Sequence, residues 1–230
     1  MVLLFFGPPG SGKGTQSKMI TDWLQIHTIS TGEIFRAEVQ AGTSLGRAAQ
    51  DIMNSGGLVG DDIVNAMLET RLSQLDLHHG VLLDGYPRTI PQAQFLDQFL
   101  TARGLPEPTV LHLDSPRDII IHRVSGRRHC AACNRGYNIY FQPPQVEGVC
   151  DYDGEPLSIR EDDREEIVRE RLLDYDRRTS PLLGYYEGRD YHRIDGNRPP
   201  EEVAREVATR LEGQMVRVRS SLTARRHRGL

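Results

Sequence analysis

A chain of 230 residues is long enough for one sizeable α/β domain with small insertions, and its 38% of hydrophobic residues can form a buried core. The formal charge of −4 disfavours nucleic acid as the main partner, because proteins that bind duplexes usually carry a basic balance. No apolar run approaches the ~20 residues of a membrane span, and the apolar start is too short for a signal peptide. We therefore expect a cytoplasmic protein with no membrane partner, and a monomer by default.

Buried strands and helices alternate along the chain. Apolar runs predict strands at residues 2–6, 81–84, 109–113 and 191–194. Helical patterns cover residues 13–24, 32–41, 45–54, 61–75, 91–102, 116–125, 161–178 and 200–216. The alternation indicates an α/β fold with a doubly wound parallel sheet, in which ligands bind beyond the carboxyl ends of the strands. Residues 30–59, which show no clear strand, and residues 126–160, rich in Cys, Pro, Gly and Tyr, are predicted to be insertions on that sheet.

A glycine-rich loop, Gly7–Thr15, follows the first strand and contains the phosphate-loop pattern G-x-x-x-x-G-K, with Lys13 as its lysine. Glycines let a backbone wrap closely around phosphate oxygens, and the start of a helix adds positive potential. We predict that this loop binds a nucleoside triphosphate and that Lys13 reaches the β- and γ-phosphates. An incidental lysine in a glycine-rich turn is the alternative, and it fits poorly between a strand and a helix. The predicted contacts are Gly10, Ser11, Gly12, Lys13, Gly14 and Thr15.

The form of this loop, Gly-x-Pro-Gly-x-Gly-Lys-Gly-Thr, resembles the nucleoside monophosphate kinases. Further motifs extend the resemblance over nearly the whole chain and make it similar to the adenylate kinase family. They are residues 29–32 followed by Arg36, residues 84–89 followed by Gln92, and the arginine-bearing segments 118–128 and 160–171.

The resemblance implies reversible phosphoryl transfer, ATP + AMP = 2 ADP, with Mg²⁺ accompanying ATP. It also implies a P-loop fold with a five-stranded parallel sheet. The implied divisions are a core of residues 1–29, 60–125 and 164–230, an AMP-binding insert at 30–59 and an ATP lid at 126–163.

Arginine suits this chemistry, because the attacking phosphate oxygen is already ionised and the enzyme needs only to position and neutralise two polyanions. The resemblance implies that Arg36 and Arg88 hold the AMP phosphate and that Arg127 faces the ATP phosphates. Three more arginines are expected to converge on the transferred group, and they are Arg123, Arg160 and Arg171. With Lys13 and Arg88, these three form the expected catalytic set.

The remaining expected contacts concern Mg²⁺ and the two bases. Asp84 ends a buried strand, where a carboxylate can hold Mg²⁺ through water, although a turn-forming Asp is the alternative. Gln92 and Thr31 are expected to form hydrogen bonds with adenine. The side-chain amide of Gln92 suits this role because it offers both a donor and an acceptor. By resemblance, Gly57, Leu58, Val59 and Gly85 complete the AMP site with Arg160 and Arg171. The same resemblance implies that Gly136, Tyr137 and Arg198 contact ATP, although Tyr137 is nearly as well suited to the core of the lid.

The cysteine spacing predicts a structural zinc site. Cys130-x₂-Cys133 is followed, after sixteen residues, by Cys150-x₂-Asp153, so that a carboxylate replaces the usual fourth cysteine. His129 and Asp151 are rival fourth ligands at the wrong offset, and metal-free cysteines are the alternative to any site. The resemblance is to adenylate kinases with a long, zinc-bearing lid.

Other functions remain open from the sequence alone. The nearest uses GTP as donor, or CMP or UMP as acceptor. A P-loop ATPase or GTPase switch is disfavoured because it has no second phosphate to hold. A zinc-ribbon binding module on an inactive core is disfavoured by the intact lysine and arginines. The arginine-rich end, residues 217–230, is expected to be a solvated tail.

Overall fold

A computed structural model describes residues 1–55 and 57–212. The strands are β1 (Val2–Phe6), β2 (His27–Ser30), β3 (Val81–Asp84), β4 (Thr109–Asp114), β5 (Arg127–Cys130), β6 (Gly136–Asn138), β7 (Leu157–Ser158) and β8 (Tyr191–Asp195). The helices are α1 (Lys13–Leu24), α2 (Thr31–Gln40), α3 (Ser44–Asn54), α4 (Asp61–Ser73), α5 (Ile90–Ala102), α6 (Arg117–Ser125), α7 (Glu165–Asp174), α8 (Pro181–Tyr186) and α9 (200–212). None of the helices within these ranges combines the length and the apolar character that crossing a bilayer requires.

The main sheet has five strands in the order β2-β3-β1-β4-β8, and its pairings are all parallel. β1 lies at the centre and is buried throughout, because helices cover both faces of the sheet. Leu4 and Phe6 of β1 pack into one apolar layer and Leu3 and Phe5 into the other. The phosphate loop after β1 therefore leaves from the middle of the sheet, where the carboxyl ends of neighbouring strands meet.

The predicted doubly wound, five-stranded fold is confirmed, but the sequence pattern revealed only four of its strands. The missed strand is β2, whose four residues include one buried position, Ile29. β2 lies at the edge of the sheet, where one side of the strand is unpaired, and three of its four residues are polar. The predicted helices agree with the structure to within two residues, except at 161–178 and at 200–216, whose end lies outside the described residues.

The region 161–178 is not one continuous helix. A 3₁₀ turn, Glu161–Asp163, is followed by an extended residue, Arg164, and then by α7. A π-helical turn, Tyr175–Thr179, follows α7 and leads into α8. The predicted helix at 200–216 is described as far as residue 212, and the predicted tail 217–230 lies outside the described residues.

The two predicted insertions differ in architecture. Residues 31–54 form the paired helices α2 and α3, which approach so closely that a Cβ on Gly46 would lie 2.1 Å from the carbonyl oxygen of Glu38. The stretch from β5 to β7 forms a separate antiparallel sheet in the order β6-β5-β7. Its buried cluster consists of Cys130, Tyr137 and Cys150, with Cys133 and Leu157 packed against it.

Candidate active site

The phosphate loop is shaped by its glycines. Gly7, Gly10 and Gly12 have φ values of 145°, 80° and 100°, which side-chain-bearing residues rarely adopt. A Cβ on Gly7 would also lie 2.4 Å from the carbonyl oxygen of Leu113. Within the described chain, no side chain caps the start of α1 and its first turn holds no acidic residue, so its amides are available for an anion.

Lys13 lies across this loop. Its Nζ donates to the carbonyl oxygens of Gly7, at 2.6 Å, and Pro8, at 2.8 Å. Burial lowers the pKa of Lys13 to about 8, and the neighbouring Asp84 opposes that shift. The lysine is thus held at the loop, near the carboxylate expected to hold Mg²⁺.

Asp84 is the last residue of β3, beside Phe5 of β1 and Ser30 of β2. Burial raises the pKa of Asp84, and Lys13 opposes this rise. A carboxylate at this position suits Mg²⁺, which binds proteins through one or two carboxylates and takes its other ligands from phosphates and water. Its surroundings therefore fit the predicted role.

One open cleft of about 1540 Å³ lies above the carboxyl ends of the strands. A typical small-molecule pocket is ~300–1,000 Å³, so the cleft has room for two nucleotides. Every residue predicted to contact nucleotide or Mg²⁺ lines it. These residues are Gly10, Ser11, Gly12, Lys13, Gly14, Thr15, Thr31, Arg36, Gly57, Leu58, Val59, Asp84, Gly85, Arg88, Gln92, Arg123, Arg127, Gly136, Tyr137, Arg160, Arg171 and Arg198.

A cluster of cations lines the cleft. Burial, with a smaller contribution from Arg171, lowers the pKa of Arg88 to about 10. Burial likewise lowers the pKa of Arg36, with Arg160 adding to the effect. Several cations that lie close together in one cleft form a strong anion site. The members are Lys13, Arg36, Arg88, Arg127, Arg160 and Arg171.

Two carboxylates engage this cluster, and sequence reasoning did not assign them to the site. Arg171 donates to a carboxylate oxygen of Asp162 at 3.1 Å and lies 3.7 Å from Asp163. Arg127 donates to Asp163 at 3.3 Å. Asp163 is 1% exposed, and burial raises its pKa. The position of this acidic pair, eight or nine residues before Arg171 on an arginine-bearing segment, was the available signal.

Arg123, predicted to reach the transferred phosphoryl group, also lines the cleft and is held by contacts of its own. Its guanidinium donates to the carbonyl oxygen of Gly196 at 2.8 Å and lies 6.0 Å from the ring centre of Phe141. Phe141 also lines the cleft and is 56% exposed, a large aromatic that sequence reasoning missed. Arg198 donates to Glu206 and to the carbonyl oxygen of Asp195, near the same end of the cleft.

Gln92 and Thr31 lie on the side of the cleft expected to hold AMP. Thr31 is 4% exposed, and its hydroxyl donates to the carbonyl oxygen of Gly85 at 2.9 Å. Arg88 donates to the same carbonyl oxygen at 2.9 Å. Gln92 is 2% exposed and uses both ends of its amide in contacts within the protein, with Arg88 and Asp61.

Residues at the end of the first insertion, and Tyr137 within the second, also line the cleft. Gly57 donates its amide to the carbonyl oxygen of Ile52, and Val59 is buried. Tyr137 is 9% exposed, and its hydroxyl lies 3.4 Å from Cys150 Sγ. The same hydroxyl accepts a hydrogen bond from the backbone N–H of Asp151. Tyr137 therefore belongs to the small core of the second sheet and lines the cleft as well.

The four predicted metal ligands come together in that second sheet. The ligand atoms of Cys130, Cys133, Cys150 and Asp153 all lie within 4.8 Å of one another. The Cys133 and Cys150 sulfurs are 3.6 Å apart, and Asp153 lies 3.2 Å from the Cys130 sulfur. Tetrahedral zinc with bonds of ~2.3 Å to sulfur separates its ligand atoms by roughly 3.8 Å. The cluster therefore fits zinc, and the rivals His129 and Asp151 lie outside it.

The chain is similar to characterised proteins along most of its length. The family model described as adenylate kinase matches residues 5–191. A curated adenylate kinase of Fervidobacterium nodosum is 44% identical over 214 residues, 93% of this chain and 98% of the relative. One from Trichlorobacter lovleyi is 49% identical over 189 residues, 82% and 88% of the two chains. One from Geobacter sulfurreducens is 43% identical over 213 residues, 92% and 98%.

Proposed function

The chain belongs to the adenylate kinase family and is a phosphotransferase of the nucleoside monophosphate kinase type, and we propose how its residues transfer a phosphoryl group from ATP to AMP. The observation that carries the assignment is a pair of phosphate-binding groups in one cleft. The loop around Lys13 can hold a triphosphate, while Arg36 and Arg88 can hold the phosphate of a second nucleotide. A switch or a simple ATPase has no use for the second group.

Catalysis here is positioning combined with charge neutralisation. The amides of Gly10–Thr15 and the ammonium of Lys13 hold the ATP phosphates. Arg36 and Arg88 direct an AMP phosphate oxygen toward the γ-phosphorus, and no general base is needed because that oxygen is already ionised. Arg127, Arg160 and Arg171 neutralise the charge that spreads over the transferred group.

Arg123 is assigned to the base side of ATP. Its bond to the carbonyl oxygen of Gly196 and its proximity to Phe141 support this assignment. A guanidinium beside an aromatic ring offers two flat surfaces on which a purine can stack. Gly136, Tyr137 and Arg198 contribute the remaining ATP contacts, and Thr31, Gly57, Leu58, Val59, Gly85 and Gln92 contribute those to AMP.

Asp84 is the residue assigned to hold Mg²⁺, through water. The bound ion neutralises phosphate charge and orients the oxygens of ATP. Burial raises the pKa of Asp84 and Lys13 opposes that rise, so the carboxyl group lies beside a cation of the protein at the position where the cation of the substrate is proposed to bind.

Zinc is proposed to bind Cys130, Cys133, Cys150 and Asp153. Four protein ligands close the coordination sphere, so the ion is structural and stabilises an insertion whose own buried cluster is small. We expect purified protein to contain about one zinc per chain. Metal analysis that finds far less after expression with added zinc contradicts this assignment.

The insertions are proposed to act as lids, residues 126–163 over ATP and residues 30–59 over AMP, on a core of residues 1–29, 60–125 and 164–230. The separate sheet β5–β7 and the paired helices α2 and α3 support this division. Closed lids exclude water, which would otherwise accept the phosphoryl group. The cytoplasmic location, the monomeric state and the lack of nucleic-acid and membrane partners remain predictions.

A coupled assay of ADP formation tests the function. We expect ADP from ATP with AMP, and little from ATP alone, from ATP with CMP or UMP, or from GTP with AMP. Arg171→Ala should lower kcat about 10²–10³-fold, because one charge-assisted contact to the reacting group is lost. Arg169→Ala, which removes an exposed arginine paired with Glu165 on the same helix, should leave the rate unchanged. Equal effects of the two variants would contradict the assignment.

A further inference from the structure

The side-chain amide of Gln92 has one orientation fixed by its neighbours. Its Oε1 accepts the backbone N–H of Arg88 at 2.7 Å, and its Nε2 donates to Oδ1 of Asp61 at 2.7 Å. A backbone N–H can only donate and a carboxylate can only accept, so turning the amide over sets donor against donor and acceptor against acceptor. Each unsatisfied or repulsive contact at a buried group is costly.

The same amide lines the cleft, and the protein contacts leave part of it free for a ligand. An amide offers two N–H groups and two lone pairs, and the contacts with Arg88 and Asp61 use one of each. One N–H and one lone pair remain. The edge of adenine presents a complementary pair, with its 6-amino group as donor and N1 as acceptor. A 6-oxopurine presents the reverse, with O6 as acceptor and N1–H as donor.

Asp61 is the member of this arrangement that lies away from the ligand. It is the first residue of α4, thirty-one positions before Gln92 in the chain, and it is not among the described residues that line the cleft. Acidic residues are favourable at a helix N-terminus, which is the structural alternative for its presence. Its neighbour Asp62 occupies the same first turn, is exposed and supplies the same charge, so the two roles can be separated by experiment.

We propose that Asp61 is a positioning residue that determines the acceptor base: its carboxylate fixes the amide of Gln92 in the orientation that pairs with a 6-aminopurine monophosphate and mismatches a 6-oxopurine monophosphate. The proposal rests on the function proposed above, which assigns Gln92 to the acceptor base. Without the carboxylate, only the Arg88 amide opposes the reversed orientation, and the site loses part of its preference.

The test compares the affinities for AMP and IMP, which differ at the 6-position and at N1, by titration calorimetry of the full chain. In Asp61→Ala we expect the ratio of AMP to IMP affinity to fall about tenfold, the effect of one net hydrogen bond. Asp61→Asn keeps the shape and can still accept from Gln92, but can also donate to a reversed amide, so its ratio should fall less. Asp62→Ala should leave the ratio unchanged.

The outcomes separate a positioning role from a structural one. If Asp61→Ala weakens AMP and IMP equally, or if Asp62→Ala changes the ratio as much, Asp61 only supports the helix and the proposal is overturned. If Asp61→Ala does not fold, Asp61→Asn decides the matter, because an unchanged ratio there overturns the proposal. A wild-type protein that binds neither nucleotide would instead refute the proposed function.

Discussion

Removal of zinc should unfold the small sheet while the main sheet stays intact. The buried cluster of the small sheet consists of three ligand cysteines, Tyr137 and Leu157, and it is separate from the apolar layers of the core. Burying one large apolar side chain contributes about 1.5–3 kcal/mol, so Tyr137 and Leu157 together supply about 3–6 kcal/mol. Structural zinc contributes ~10–16 kcal/mol in zinc-finger peptides, so the proposed ion would be the larger stabilising term.

Hydrogen exchange followed by mass spectrometry measures this effect segment by segment. After chelation at neutral pH, we expect amides in residues 127–158 to lose at least about a hundredfold in protection, while those of β1 and β4 keep theirs. One equivalent of zinc should restore the protection. If the 127–158 amides keep their protection in protein shown to be free of zinc, the hydrogen bonds among the ligands hold the sheet and the reasoning is refuted.

A matched pair of variants tests the carboxylate ligand. Asp153 Oδ1 also accepts the amide of Glu155 at 3.1 Å, so replacement by alanine removes a turn contact as well as a ligand. Asp153→Asn keeps an acceptor for that amide and removes the charge that favours zinc. It should reproduce the chelated state, whereas Glu155→Gln, which removes a charge from an exposed residue two positions away, should not. Equal loss of zinc from both variants argues against Asp153 as the ligand.

Three further predictions concern the cleft. Lys13→Met should lower kcat/KM for ATP about 10²–10³-fold without loss of folding, and a rate within threefold of wild type contradicts the role of Lys13. Because the pKa of Lys13 falls from 10.5 to about 8 on folding, the unfolded chain binds more protons between those values. The free energy of unfolding of the ligand-free protein should therefore increase as the pH rises through that window, by up to about 1.4 kcal/mol per pH unit. Urea unfolding at pH 7.5 and 9.5 should show this increase in the wild type but not in Lys13→Met. Gly46→Ala should push α2 away from α3, lower the free energy of unfolding by about 1–3 kcal/mol, and raise KM for AMP but not for ATP. Gly184 is a helical glycine with open space around it, so Gly184→Ala should leave both KM values unchanged.

The main sheet was predictable because its central strands are buried on both faces. Residues such as Leu3, Leu4 and Phe5 have no solvent-facing position, so they form an uninterrupted apolar run. β2 was not predicted for the opposite reason, since the amino-acid sequence of an edge strand with one buried residue resembles that of a loop. The break at Arg164 and the π turn after α7 carry no comparable signal, because tertiary contacts decide them, including that of Thr179 with the carbonyl oxygen of Arg88.

The candidate site shows the same division. Lys13 and the cysteines follow from local spacing, because the groups that act together are close in the chain. The contact of Asp61 with Gln92 and the bond of Arg123 to Gly196 join residues 31 and 73 positions apart. Spacing along one sequence cannot reveal such pairs, because the fold alone brings them together.

The ion pairs of Arg127 and Arg171 with Asp162 and Asp163 have a consequence for turnover. These carboxylates offset part of the repulsion among the clustered cations, at the place where phosphate is proposed to bind. In the proposed mechanism, nucleotide binding therefore exchanges one anion for another, which reduces the net affinity. When ADP leaves, the carboxylates can recapture the arginines at once. An enzyme that must release two highly charged products after every cycle benefits more from such reversible binding than from tight binding.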